Sequence, residues 1–126
     1  MSPDAPNESA SPDRGLPRSR RMTRSSDIRT TFDRGEKHVG RYMVMWVCTG
    51  DDTAGRMATV ASKKVGNSVK RSRAKRLLRE AWRLNRHRLR PDTDVILLAR
   101  GWITRVKCQD VEAEILELAR NAGIHL

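Results

Sequence analysis

Residues 63–90 hold twelve Lys and Arg and one acid, Glu80, threaded through an apolar period of three and four. These two patterns restrict the fold more than any other stretch of the chain. Apolar residues at helical spacing call for a helix with one buried face, and that face needs a sheet or a second helix to cover it. Asn67 or Ser68 offers an N-cap, and the helix is expected over 69–90. On a wheel of about 100° per residue, Arg71, Ser72, Lys75, Arg76, Arg79, Arg83, Arg86 and Arg90 gather in an arc of about 140°. Val69, Ala74, Leu77, Leu78, Ala81, Leu84 and Leu89 fill most of the remaining circle. Lys70, Arg73 and Arg88 fall on the apolar arc, near the helix ends or where their stems can lie along the surface.

The chain as a whole carries 26 Lys and Arg against 15 Asp and Glu, a net charge of +11. Residues 63–90 alone supply all of it, and the rest of the chain is neutral. Such clustering is the footprint of a polyanionic partner rather than a solubility device. A solvated helix face normally mixes signs, because opposite charges four residues apart stabilise it. Here Arg71, Lys75, Arg79 and Arg83 repel one another, at a few tenths of a kcal/mol per pair. A membrane-surface or partner-binding helix shares the pattern. Strand-like runs on both sides, however, commit the apolar face to a globular core. Neither helix-turn-helix spacing nor a zinc-ligand set points to DNA. RNA is favoured by the pairing of Arg with Trp82, Phe32 and Tyr42, whose planes stack on unpaired bases. Core packing is the competing reading for each of these aromatics.

Around this helix the chain divides simply. Residues 1–20 hold four of the five prolines and almost nothing apolar, so a disordered tail is expected, with a single domain over 21–126. Arg14, Arg18, Arg20 and Arg21 offer nonspecific RNA contact, but a dispensable solvated tail is the favoured reading. A short helix follows, capped by Ser25 or Ser26, with Ile28 and Phe32 on one face and Gly35 as its stop. Residues 42–48 read as a strand covered on both sides. Residues 50–55 are turn chemistry, and 56–62 read as the second arm of a hairpin. Residues 94–100 form a further buried strand after the Pro91-Asp92 loop. A last helix is expected over 110–121, with Val111, Ile115, Leu118 and Ala122 inward, Glu112, Glu114 and Glu117 outward, and Gly123 at its end.

Cys48 and Cys108 lie sixty residues apart and read as reduced, buried thiols. With no apolar run near the ~18 residues of a span and no apolar signal core, a soluble cytoplasmic protein is expected. His38, His87 and His125 are scattered, and Asp51-Asp52 sits in a Gly-flanked turn, so no metal or catalytic set is expected among the side chains.

Residues 62–83, SKKVGNSVKRSRAKRLLREAWR, resemble the signature of the bacterial ribonuclease P protein family. That signature is a strand ending S-K-K, then G-N-x-V-x-R-N-R, then x-K-R-L-x-R-E-x-[FW]-R. Ser72 stands where the family usually has Asn, keeping a donor and an acceptor at shorter reach. Upstream, Asp27-Ile28-x-x-x-Phe32-x-x-Gly35 is similar to the family's opening D-F-x-x-x-F-x-x-G, with Ile28 in place of an aromatic. The resemblance covers residues 21–121. It implies an α+β fold, a two-layer α/β sandwich with a four-stranded, mostly antiparallel sheet and three helices. The implied order is α-β-β-α-β-α, which the residue-by-residue reading also gives, and the implied β-α-β crossover is left-handed, against the usual rule.

The resemblance further implies a non-catalytic protein subunit of a ribonucleoprotein endonuclease. Its partners are the ribonuclease P RNA and precursor tRNA, with no membrane and no dedicated protein partner. The RNA carries out metal-assisted removal of the 5′ leader and holds the required Mg²⁺, so no cofactor is expected on the protein side chains alone. Carried over position by position, Ile28, Phe32, Tyr42, Arg71, Ser72, Lys75 and Arg79 are expected at the leader. Lys63, Lys64, Arg73 and Arg76 are expected at the catalytic RNA. A ribosomal or assembly protein, with the same helix set in a structured rRNA groove, is the alternative. Either reading predicts RNA affinity that falls steeply with added salt, as counterion release requires, and a titration across salt concentrations checks it.

Overall fold

Two apolar runs, Val-Ile-Leu-Leu-Ala and Met-Val-Met-Trp-Val-Cys, have no polar alternation, so both faces of the strands they form must be covered. A computed structural model of the protein, describing residues 21–22, 25–50, 53 and 55–126, shows how this is done. The elements are α1 (Ser25–Arg34), β1 (Glu36–Val39), β2 (Met43–Cys48), β3 (Met57–Ala61), α2 (Ser68–Asn85), β4 (Asp94–Ala99) and α3 (Cys108–Ala122). The sheet order is β1-β2-β4-β3. β1 with β2 and β2 with β4 are antiparallel, whereas β3 runs parallel to β4. The expected tail over 1–20 lies outside the described residues.

The mixed sheet and the element order agree with the expected fold class, and the sheet's fourth strand is β1. Only Val39 in β1 is apolar, which suits an edge and hides the strand from a hydrophobicity reading. The hairpin expected between residues 42–48 and 56–62 does not form. β4 lies between β2 and β3, and the actual hairpin is β1–β2. Because β3 and β4 are parallel neighbours, the chain joins them through a crossover, which α2 supplies.

α2 and α3 cover one face of the sheet. Ala74, Leu78, Ala81 and Trp82 meet Met43, Met45, Val95 and Leu97, and Val111, Ile115 and Leu118 complete this core. α1 crosses the other face, where Ile28 and Phe32 pack with Met22, Trp46, Ala58, Val60 and Ile96. α2 ends at Asn85, short of the expected 90. There the Asn85 amide donates to Ala81 O and to Glu112 Oε1, both at 2.9 Å. The chain then passes through a 3-10 turn at Arg86–Arg88, and the Leu126 and Arg90 N–H groups tie it to the C-terminal segment. Cys48 is buried and Cys108 half-buried, and neither forms a disulfide. Among the described residues, no helix is long and apolar enough to cross a membrane.

Two polar clusters hold the layers together. Arg56 donates through Nη1 to Asp27 Oδ2 at 3.1 Å and through Nη2 to Asp94 Oδ2 at 3.0 Å, and its N–H meets Asp94 Oδ1 at 2.9 Å. α1 is thereby tied to the starts of β3 and β4. The hydrogen bond to Asp94 raises the Arg56 guanidinium above the usual arginine range, against the opposing effect of burial.

The second cluster overturns an expectation. Glu114 does not face outward. It is 7% exposed, and its carboxylate accepts the N–H groups of Arg41 (2.7 Å), Tyr42 (2.9 Å) and Met43 (3.1 Å). The β1–β2 turn leaves these donors without strand partners, and an acid from α3 satisfies them. Gly40 makes room for it: a Cβ there would stand 2.6 Å from the Glu114 carboxyl carbon. Glu114→Ala is expected to cost about 3 kcal/mol, the upper range for unpaired buried groups. It should appear as a lower urea midpoint with an unchanged slope.

Candidate RNA interface

The cationic helix begins where the sequence reading placed it. Asn67 Oδ1 accepts the Lys70 N–H at 3.0 Å and caps α2. Just before it, Ser62 caps a 3-10 turn at Lys63–Val65, which leaves Lys63 and Lys64 exposed beyond β3. Gly66, at φ 141°, joins the two helical pieces in a conformation that side chains disfavour, and its carbonyl accepts Arg71 Nη1 at 3.0 Å.

Along α2 the cations sort into two rows. Arg71, Lys75 and Arg79, four residues apart, are half-buried at the fringe of the core. Ser72, Arg73 and Arg76 are exposed, and with Ser68 and Val69 they line a shallow groove of 340 Å³. The structure therefore groups Ser72 with Arg73 and Arg76, not with the first row. The core side of the helix is also rotated from the wheel's apolar arc. Val69, expected inside, is 66% exposed. Trp82, which a wheel of about 100° per residue puts between Arg71 and Lys75, is 5% exposed and packs in the core. Core packing is thus the reading that holds for Trp82. Glu80 pairs with Arg83.

At its Arg79 end the half-buried row comes near Arg21, which leads into the sheet face that α1 covers. Arg21 bridges to Met57 at the edge of β3, and the Met22 N–H donates to Met57 O at 2.8 Å. Met22 is buried with Phe32 and Ile28, while Arg21 acts on Arg79. The Arg79 guanidinium is lowered from the usual arginine range first by burial, then by the charges of Arg21 and Arg76. A guanidinium remains protonated under such pressure, so an approaching anion is favoured there.

On the sheet face itself, Phe32 meets Trp46 edge-on, with ring centroids 4.7 Å apart and planes at 81°. Lys37 Nζ lies 5.6 Å from the Trp46 centroid. Tyr42 is not part of this assembly. It lies in the β1–β2 turn and packs against the core on the α3 side, lining a cavity with Glu114 and Leu118. The aromatic that completes the Ile28–Phe32 surface is Trp46. Strand alternation carries the signal for it: Met43, Met45 and Val47 share one face, so Val44 and Trp46 share the other.

Among the described residues, no three His, Cys, Asp or Glu side chains converge as metal ligands. The Cys108 thiol is pushed up first by burial and then by Glu112, away from nucleophilic reactivity.

A family model described as Ribonuclease P matches residues 16–123. The ribonuclease P protein component of Pelotomaculum thermopropionicum is 35% identical over 104 residues, covering 82% of this chain and 93% of that protein. The component from Clostridium botulinum (strain Loch Maree / Type A3) is 30% identical over 106 residues, covering 83% and 96%. Two solved structures share the fold. The Staphylococcus aureus RNase P protein aligns with a TM-score of 0.73 at 21% identity, covering 85% of this chain and 98% of that one. The Thermotoga maritima protein aligns at 0.70 and 23%, covering 80% and 96%.

The separation of core from surface on α2 is directly measurable. Arg73→Ala and Arg76→Ala are expected to leave stability within about 0.5 kcal/mol, because exposed like charges are removed. Trp82→Ala should cost about 3–5 kcal/mol through loss of core packing. Thermal melts of the three variants check both values.

Proposed function

Because this chain belongs to the ribonuclease P protein family, whose model spans most of its length, we propose that it binds single-stranded precursor-tRNA leader between α1 and the cationic row of α2. The chain is a protein subunit of the ribonuclease P ribonucleoprotein, and the enzyme's RNA is its partner. One observation carries the leader reading: an apolar and aromatic floor beside a single-sign cationic wall. Ile28, Phe32 and Trp46 form the floor, and Arg71, Lys75 and Arg79 form the wall, with Arg21–Met22 between them. Bases stack on such a floor and phosphates are neutralised by such a wall, which suits a strand whose sequence varies. Trp46 takes the place that the sequence reading gave to Tyr42.

Lys63, Lys64, Arg73 and Arg76 are exposed and serve the catalytic RNA through phosphate contacts, which position rather than specify. Ser72 lies with this second set. In this reading the cleavage chemistry and its Mg²⁺ belong to the RNA. In this reading no catalytic step is assigned to the chain. The protein neutralises phosphates where RNA segments crowd and adds binding energy from the leader, and both effects lower the Mg²⁺ that the RNA needs.

Mixing the protein with a bacterial ribonuclease P RNA at low Mg²⁺ and following leader release from a precursor tRNA tests the proposal. RNA alone at high Mg²⁺ serves as the activity control. Restored cleavage at low Mg²⁺ is expected, and no restoration would assign the helix to another RNA. Lys75→Ala in the same holoenzyme should weaken precursor binding about fivefold, roughly 1 kcal/mol, and leave mature tRNA binding nearly unchanged. Equal losses for both ligands would remove the leader from this cleft.

A further inference from the structure

The parallel pairing of β3 and β4 brings their C-terminal ends to the same end of the sheet. The turn at Lys63–Val65 leaves one strand, and a second 3-10 turn, Gly101–Arg105, leaves the other. Between them lies a groove of 720 Å³ with Val44 and Leu98 on its floor. Lys64, Arg100, Trp102 and Arg105 line its sides, and no acid does. Trp102 is 60% exposed, and the Arg105 guanidinium carbon lies 4.8 Å from its ring centroid. Arg100 Nη1 donates to Gly40 O at 2.8 Å, which fixes that cation at the groove.

A single exposed apolar side chain is ordinary on a protein surface. Trp102 differs in its setting. It stands in a groove with three cations, and one of them already lies over its ring. Val44 and Leu98 are cross-strand partners, as are Trp46 and Ile96, and both pairs face the α1 side of the sheet. The groove is therefore the next step along the strands from the Trp46 surface. Two residues of strand advance about 6.6 Å, comparable to the spacing of nucleotides in an extended single strand.

We propose that Trp102 and Arg105 form a second base-stacking platform that takes one further nucleotide of the single-stranded leader, with Arg100 neutralising its phosphate. This inference rests on the leader reading above and extends that site by residues which the sequence signature does not include. The indole face receives the base, and Arg105 covers the indole until the base arrives or stacks alongside it.

The test uses the reconstituted holoenzyme and precursor tRNAs whose leaders are shortened one nucleotide at a time, with mature tRNA as the leaderless ligand. Trp102→Ala should weaken binding of the longest leader about tenfold. It should have no effect once the leader is too short to reach the groove, and Trp102→Phe should retain most of the affinity. An unchanged melting temperature shows that the exposed side chain was not structural. If Trp102→Ala leaves long-leader binding intact while Lys75→Ala still separates precursor from mature tRNA, the platform is refuted and the leader cleft stands. If Trp102→Ala weakens every ligand alike, mature tRNA included, the groove contacts another part of the complex and the platform is again refuted. If neither variant separates precursor from mature tRNA, the leader reading fails and the platform fails with it.

Discussion

β4 exchanges main-chain hydrogen bonds with β2 on one edge and β3 on the other, and each cationic surface follows from that insertion. A strand placed between two others cannot be reached from a parallel neighbour by a tight turn, so the chain must cross over the sheet. α2 is that crossover. Its core-facing side is set by the need to cover Met43, Met45, Val95 and Leu97, and its cations are left on the sides that remain. The same insertion aligns the ends of β3 and β4, so that two short turns rich in basic residues meet at one end of the sheet.

Charge on this molecule is graded by burial rather than spread over a face. Arg73 and Arg76 stand in water, where their repulsion is screened and weak. Arg79 is partly withdrawn from water beside Arg21, where repulsion is felt more strongly. An anion bound at the fringe relieves more free energy than one bound on the open surface, because it replaces lost hydration as well as neutralising charge. Arg56 shows the opposite arrangement within the same domain. There, two carboxylates were supplied by the fold itself, and the cation has become a structural tie.

Much of this was legible in the residues. The Asn67 cap, the extent of α1 and the buried runs of β2 and β4 follow from propensity and pattern, because local chemistry determines them. Three features were not legible, each for a nonlocal reason. β1 is short and polar, and only its pairing with β2 makes it a strand. Glu114 sits on a helix where Asp110 and Glu117 are exposed, and it turns inward because a turn more than seventy residues away in sequence offers three donors. Trp82 occupies a cationic sector of the wheel, yet the core claims it because α2 packs at a rotation that the wheel does not encode. Tyr42 and Trp46 show the limit of motif alignment. Two aromatics four residues apart fall on different sides of the sheet, and only the strand's starting point decides which one joins Phe32.

Gly40 and Glu114 share one volume, since a Cβ at 40 would lie within 2.6 Å of the carboxyl carbon. Substitutions at the two positions are therefore coupled. A descendant chain that first loses the acid gains space at 40, and a side chain can then settle there. Once it has, restoring the acid alone brings no benefit, because its place against the turn is taken. A chain with a side chain at 40 would have to anchor the β1–β2 turn by means other than an acid at 114.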